Sequence, residues 1–219
     1  MKYTIGSGYY DSHRELPGFP DVWLRCLSKA NPKPSSVIVL GVGGPKNPYG
    51  DRVQFVSLDG NLGYIGSLLS GEKPHSFCGW SAGMLALAMI AYNNETDFIY
   101  VEQDCLVFGD WVNALYDALG GSLGIVFGSN NLMECAQSLF LVRHSFIPQF
   151  VVDYISQGPE RENCNIPETK FARLEKLKQE SWGRFKFGYD RYRPFNPNDP
   201  TFYIQQLTKD DMRLVEHRL

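Results

Sequence analysis

The sequence predicts an α/β fold: a single domain over residues 1–219, built as three layers with a mostly parallel central sheet flanked by helices. Three observations predict it. Ser36-Val37-Ile38-Val39-Leu40-Gly41-Val42 and Phe98-Ile99-Tyr100-Val101 are unbroken apolar runs rich in β-branched and aromatic residues, the composition of strands buried on both faces. Segments with helical periodicity lie between such runs. Several strands end in glycine-rich or acidic loops, and open α/β sheets bind their ligands at the carboxyl ends of the strands.

Composition narrows the function classes. A hydrophobic fraction of 43% and an aromatic fraction of 14% belong to a packed globular protein. A net charge of −3 with no long basic run argues against nucleic acid as the main partner. No stretch approaches a membrane span or a secretion signal. The five cysteines are odd in number, widely spaced and without a C-x-x-C pair, so thiols in a reducing compartment are expected. These features describe a soluble, cytoplasmic protein.

In chain order, Tyr3-Thr4-Ile5 starts a strand that ends in Gly6-Ser7-Gly8-Tyr9-Tyr10, either a ligand-approach loop with tyrosines to stack on a base or a simple glycine turn. Asp21 can cap a helix whose apolar face is Val22, Trp23, Leu24, Cys26 and Leu27, stopped by Asn31-Pro32. The strand over 36–42 leads to Gly43-Gly44, which fits neither G-x-G-x-x-G nor the P-loop and is not followed by a helix. A dinucleotide site is therefore discounted. A third strand over 52–58 ends in Asp59-Gly60-Asn61, a corner that can read a ribose or base, or act as a tight turn. Ser81 can cap a helix over 82–92 that is apolar nearly all round and should be deeply buried.

The strand over 98–101 then turns sharply polar at Glu102-Gln103-Asp104. On a strand, residues i and i+2 point the same way, so these two carboxylates can converge. Hard oxygen ligands of this kind suit Mg²⁺ or Mn²⁺ shared with substrate phosphates. The alternative is two solvated acids opening a loop, and their place between an apolar strand and a helix favours the metal reading. Asp110 caps a helix that ends at Gly120-Gly121. Strands over 123–127 and 138–142 follow, the second ending in Arg143-His144, then a helix over 147–157 with Phe150, Val151, Tyr154 and Ile155 inward. His144 is a candidate ligand or acid–base group, or, as an isolated histidine, a structural one. Pro167-Glu168 opens a charged helix to about residue 179. The tail from 181 is aromatic and basic, a lid over a ligand or a wrap on the core, with a last strand near 201–204.

These motifs in this order resemble the GT-A fold nucleotide-diphospho-sugar transferases, nearest to the family 2 glycosyltransferases. That family has a small-residue and tyrosine loop after its first strand, matched by Ser7-Gly8-Tyr9-Tyr10, and a later Asn-x-Gly turn, matched by Asn61-Leu62-Gly63. Its Asp-x-Asp falls at Glu102-Gln103-Asp104, and its acidic pair opening a helix falls at Glu168-Thr169. The resemblance covers about residues 1–177. It implies a Rossmann-like domain and transfer of a sugar from a nucleotide-diphosphate donor to a hydroxyl of a glycan or other acceptor. It further implies Mn²⁺ or Mg²⁺ held by Glu102 and Asp104, a nucleoside held by Ser7, Tyr9, Asp59 and Asn61, and Glu168 as catalytic base.

The chain departs from that pattern in four respects. Glu102 replaces the first Asp, an expected arginine before the buried helix is missing near Trp80, Thr169 replaces the second acid, and the chain is short. The Glu102 and Thr169 departures keep open a non-catalytic module that binds a nucleotide sugar or glycan. A nucleotidyltransferase ranks last, because the first loop lacks an arginine.

Overall fold

The computed structural model describes residues 1–10, 18–42, 46–58, 77–120, 124–128, 135–160, 166–178, 183–185, 188–189, 203–205, 209–216 and 219. Its strands are β1 (Tyr3–Tyr9), β2 (Ser36–Val42), β3 (Gln54–Leu58), β4 (Asp97–Val101), β5 (Cys105–Val107), β6 (Ile125–Gly128), β7 (Ala136–Val142), β8 (Gly183–Phe185), β9 (Gly188–Tyr189) and β10 (Tyr203–Gln205). Its helices are α1 (Phe19–Ser28), α2 (Gly79–Asn93), α3 (Trp111–Leu119), α4 (Ile147–Ser156), α5 (Pro167–Lys178) and α6 (Lys209–Glu216). A seven-stranded sheet runs β3-β2-β1-β4-β7-β6-β8, and a small sheet runs β5-β10-β9. Within the large sheet β7 is antiparallel to β4 and β6, and the other pairings are parallel.

Strand alternation splits the core into two layers. Successive side chains leave a strand on opposite faces, so Ile99, Val101, Leu139, Leu141 and Val126 face one way while Phe98, Tyr100, Phe140, Val142 and Phe127 face the other. The first face is covered by Trp23 and its neighbours on α1, by Trp111, Val112 and Leu115 on α3, and by Ile204 and Val215 from the tail. The second is covered by Met84, Leu87 and Ala88 on α2, Phe150 and Tyr154 on α4, and Phe171 and Leu174 on α5. Because both faces are covered, the strands carry the continuous apolar runs read from the sequence.

Glycine sets how closely α2 can approach. A Cβ on Gly6 would stand 2.6 Å from Phe98 Cε2 and 3.2 Å from Leu87 Cβ, so β1 lies against both a neighbouring ring and a helix with no room for a side chain.

Several local expectations are corrected. α1 begins at Phe19 because Gly18, at φ 89°, takes the N-cap position, and Asp21 lies in the first turn instead of capping. α2 begins at Gly79 with Cys78 before it, which places Ser81 inside the helix. Nor is α2 buried all round: Met84, Leu87, Ala88 and Ala91 are covered and Met89 is 38% exposed. Its apolar outer face misled a reading based on composition alone. A 3-10 turn at Gly50–Arg52 precedes β3, shortening the expected strand. In α4, Phe150 and Tyr154 are buried, but Ile155 is 47% exposed. β5 was not foreseen, since three residues are too few to show a period. The described parts of the tail add β8 to the large sheet, pair β10 with β5, and put Met212 and Val215 into the core. Among the described residues no helix is long and apolar enough to cross a membrane.

Candidate active site

The strand order reverses beside β1. The chain passes from β1 outward through β2 to β3, then crosses back by α2 to place β4 on the other side of β1. Such a switch point leaves a crevice beyond the carboxyl ends of the two central strands, because the connections from them diverge. Here those ends are Tyr9-Tyr10 on β1 and Glu102-Gln103-Asp104 on β4.

The acidic triplet is a turn and not the end of a strand, which corrects the alternation argument made for it. The Cys105 N–H donates to the Glu102 carbonyl at 2.9 Å, closing a four-residue turn with Glu102 first and Asp104 third. Three hydrogen bonds fix the Glu102 backbone. Its N–H donates to the Ser138 carbonyl on β7 at 2.8 Å, and its carbonyl accepts from Cys105 and from the Trp23 indole of α1 at 3.1 Å. The middle residue spans the switch point: the Tyr10 N–H donates to Gln103 Oε1 at 2.5 Å, and Gln103 Nε2 donates to the Tyr10 carbonyl at 3.2 Å. The exits of β1 and β4 are thus tied to each other.

Both acids act on their surroundings. Burial raises the Tyr100 hydroxyl well above its ordinary pKa, with the charges of Glu102 and then Asp104 adding to the effect. Tyr100 Oη accepts the Gly8 N–H at 3.3 Å, which ties β4 to the end of β1. Burial likewise raises the Cys105 thiol, helped by Asp104 and Glu102. That thiol stays protonated near neutral pH and is no nucleophile. Cys26, Cys78, Cys105 and Cys135 are all buried thiols.

As a donor set, Glu102 and Asp104 fit a hard divalent cation. They are carboxylates within one short turn, each partly exposed, and Asp104 Oδ1 is turned inside the protein. Among the described residues no group of three or more His, Cys, Asp or Glu side chains gathers to hold a metal.

The other expected site residues fall in different settings. Ser7, within β1, is fully buried and its hydroxyl donates to the Gly8 carbonyl at 3.3 Å. Tyr9 is partly exposed, edge-on to Tyr49 at 5.7 Å and to Phe55 at 6.2 Å. Asp59 and Asn61 lie outside the described residues. Glu168 is partly exposed in the first turn of α5. His144 lies at the opposite end of the sheet, since β7 runs against β4. Its N–H donates to Asp97 Oδ1 at 2.8 Å and its ring stacks on Tyr92, which makes it structural.

One polar cluster escaped sequence reasoning. Glu160 and Lys170 are both 0% exposed and pair at 3.0 Å. Glu160 Oε2 accepts the Cys78 N–H at 2.9 Å, and Oε1 accepts the Ser81 hydroxyl at 2.5 Å and the Tyr154 hydroxyl at 3.3 Å. Lys170 Nζ also donates to the Gly158 carbonyl at 2.6 Å and lies 4.6 Å and 4.5 Å from the centres of the Phe77 and Tyr154 rings. Burial lowers the Lys170 pKa, and the charge of Glu160 opposes that shift. Glu160 thus occupies the positive end of α2, which a ligand phosphate would otherwise suit. The one available signal was spacing: Pro167, Lys170, Phe171 and Leu174 share a helical stripe that is otherwise apolar.

No protein-family model matches this sequence, and no curated protein matches it. Solved structures do. An active-site mutant of LgtC superposes with a TM-score of 0.54 at 10% identity, covering 99% of this chain and 94% of that one. A second structure, of the galactosyltransferase LgtC in complex with donor and acceptor sugar analogues, gives 0.52 at 9% identity, over 100% of this chain and 96% of that one. The glycosyltransferase GlyE of Streptococcus pneumoniae TIGR4 gives 0.51 at 11% identity, over 84% of this chain and 44% of that one. A homologue of Mycobacterium tuberculosis rv0371c from Mycobacterium sp. strain JC1 gives 0.54 at 14%, over 99% and 96%. At these identities the likeness is one of fold, and this chain has a GT-A-like α/β fold.

Proposed function

We propose that the protein is a metal-assisted glycosyltransferase that moves a sugar from a nucleotide-diphosphate donor to a hydroxyl of a glycan or other acceptor, nearest in layout to family 2. The observation that carries this reading is the tied crevice, with two carboxylates on a turn clamped to β1 by Gln103. Glu102 and Asp104 would hold Mg²⁺ or Mn²⁺, which supplies charge neutralisation for the leaving diphosphate. Ser7, Tyr9, Asp59 and Asn61 would form the nucleoside side of the site, Ser7 from a buried position in β1 beneath Tyr9. In an inverting transfer Glu168 accepts the acceptor's hydroxyl proton as that oxygen bonds to the anomeric carbon. The anomeric carbon–oxygen bond to phosphate breaks, and the nucleoside diphosphate leaves with the electron pair.

A thermal-shift panel of nucleoside diphosphates and nucleotide sugars, with Mn²⁺ or with EDTA, tests the donor site. Stabilisation by one nucleotide family, lost in EDTA, is expected, because a ligand that binds only the folded state raises its stability. Stabilisation indifferent to EDTA removes the metal from the reading, and no stabilisation by any nucleotide removes the donor. Glu102 in place of Asp and Thr169 in place of an acid favour a second reading, a module that binds the sugar nucleotide without turning it over. Slow donor hydrolysis without acceptor decides between the two, since only the enzyme performs it.

A further inference from the structure

The buried cluster around Glu160 joins three segments that the fold brings together from far apart in the chain. Cys78 and Ser81 start α2, Gly158 and Glu160 follow α4, and Lys170 lies three residues into α5. The start of α2 is at the carboxyl edge of the sheet, because α2 runs back from β3 to β4; there Trp80 meets Tyr100 edge-on at 5.2 Å and Phe171 at 6.0 Å. Glu168 is two residues before Lys170. A charge pair this deeply buried is a poor source of stability, since desolvation offsets the attraction. What it does supply is direction: each hydrogen bond admits one arrangement of the three segments.

We propose that Glu160 and Lys170 are positioning residues, a pin that fixes the first turns of α2 and α5 at the crevice and so places Glu168. Placement of Glu168 rests on the transferase reading above; the pin itself does not. Neither side chain reaches the crevice, and both act through the turns they hold.

The test compares the wild type, Lys170→Met, and the double variant Glu160→Leu/Lys170→Met, each as the full chain. Lys170→Met strands a buried carboxylate and should lower Tm by roughly 10 °C. The double variant removes both charges at similar volume and should recover most of that loss. Amide hydrogen exchange over residues 78–82 and 167–171 is then read in the recovered protein. About tenfold faster exchange confined to those turns is expected, whereas exchange equal to wild type overturns the pin. Turnover of a panel of nucleotide sugars with Mn²⁺ gives the second readout: kcat about 100-fold lower with little change in donor KM is expected, from displaced geometry alone. A double variant that regains both Tm and wild-type kcat shows a merely structural pair and overturns the positioning role. If the wild type turns over no nucleotide sugar, the transferase reading fails, and the amide exchange alone decides the pin.

Discussion

A carboxylate stands at each end of β4, Asp97 in its first position and Glu102 in the turn just after its last, and the two are anchored by different bonds. At its start, Asp97 is held through its side chain: Oδ1 accepts the His144 N–H at 2.8 Å and Oδ2 accepts the Tyr116 hydroxyl at 2.6 Å. That carboxylate ties β4 to α3 and to the end of β7. At its finish, Glu102 is held through its backbone, with the N–H on Ser138 and the carbonyl accepting from Trp23 and Cys105. A carboxylate used as a strut stabilises the fold, whereas on the transferase reading the carboxylates of the anchored turn serve the metal. Substitutions at the two ends should therefore separate stability from activity.

The largest effect is expected at the finish. On the transferase reading, Asp104→Ala should lower glycosyl transfer by at least about 100-fold, the scale of losing one preorganised charge-stabilising group, with the fold kept. Activity assays with Mn²⁺ beside thermal melts measure both, and full transfer in that variant sinks the metal assignment. Asp97→Ala inverts the pattern. It leaves the Tyr116 hydroxyl and the His144 N–H without their acceptor, which costs about 2 kcal/mol in urea unfolding while the folded protein keeps its activity. Loss of transfer without loss of stability would break the comparison.

How much of this was legible in sequence follows from the same contrast. Strands 36–42 and 98–101 were legible because both faces are buried and burial writes an apolar run. The acidic triplet was legible by composition, but its turn was not, since the bonds that make it reach Ser138 and Trp23, far away in sequence. Gln103 and Glu160 were invisible for the same reason: an isolated polar residue looks solvated until the fold surrounds it. Ser7 shows the converse, a polar residue read as a ligand contact that the core encloses. Asp59 and Asn61, expected at the same crevice, lie outside the described residues.

A smaller effect should appear at high pH, and it samples the whole core. Burial raises the hydroxyls of Tyr3, Tyr49, Tyr100, Tyr116 and Tyr154, and at Tyr116 the hydrogen bond to Asp97 adds to it. A raised pKa means that the folded state keeps protons the unfolded chain releases. The stability from these groups is complete below about pH 10, the unfolded tyrosine value, and is lost as pH rises beyond it. Lys170, with its pKa lowered, works in the opposite direction over the alkaline range, one group against five. Tm should therefore fall above about pH 10, with the full tyrosinate absorbance of the twelve tyrosines reached only on unfolding. Full absorbance while the protein stays folded would show that these hydroxyls are open to solvent.

The smallest expected effect is the most specific to the site. Gln103→Leu removes two exposed hydrogen bonds between the acidic turn and Tyr10, which should cost less than about 1 kcal/mol of stability. The Glu102 backbone keeps its bonds to Ser138, Cys105 and Trp23, so the carboxylates stay where they are while the end of β1 at Tyr10 loosens. If Tyr9 takes the nucleoside, donor affinity should weaken several-fold, roughly the cost of immobilising that end on binding, while the chemistry on bound donor is unchanged. Titration with the stabilising nucleotide reads the first quantity and single-turnover kinetics the second. A variant that binds donor as the wild type does would separate the β1 loop from the donor site and leave the crevice defined by the acidic turn alone.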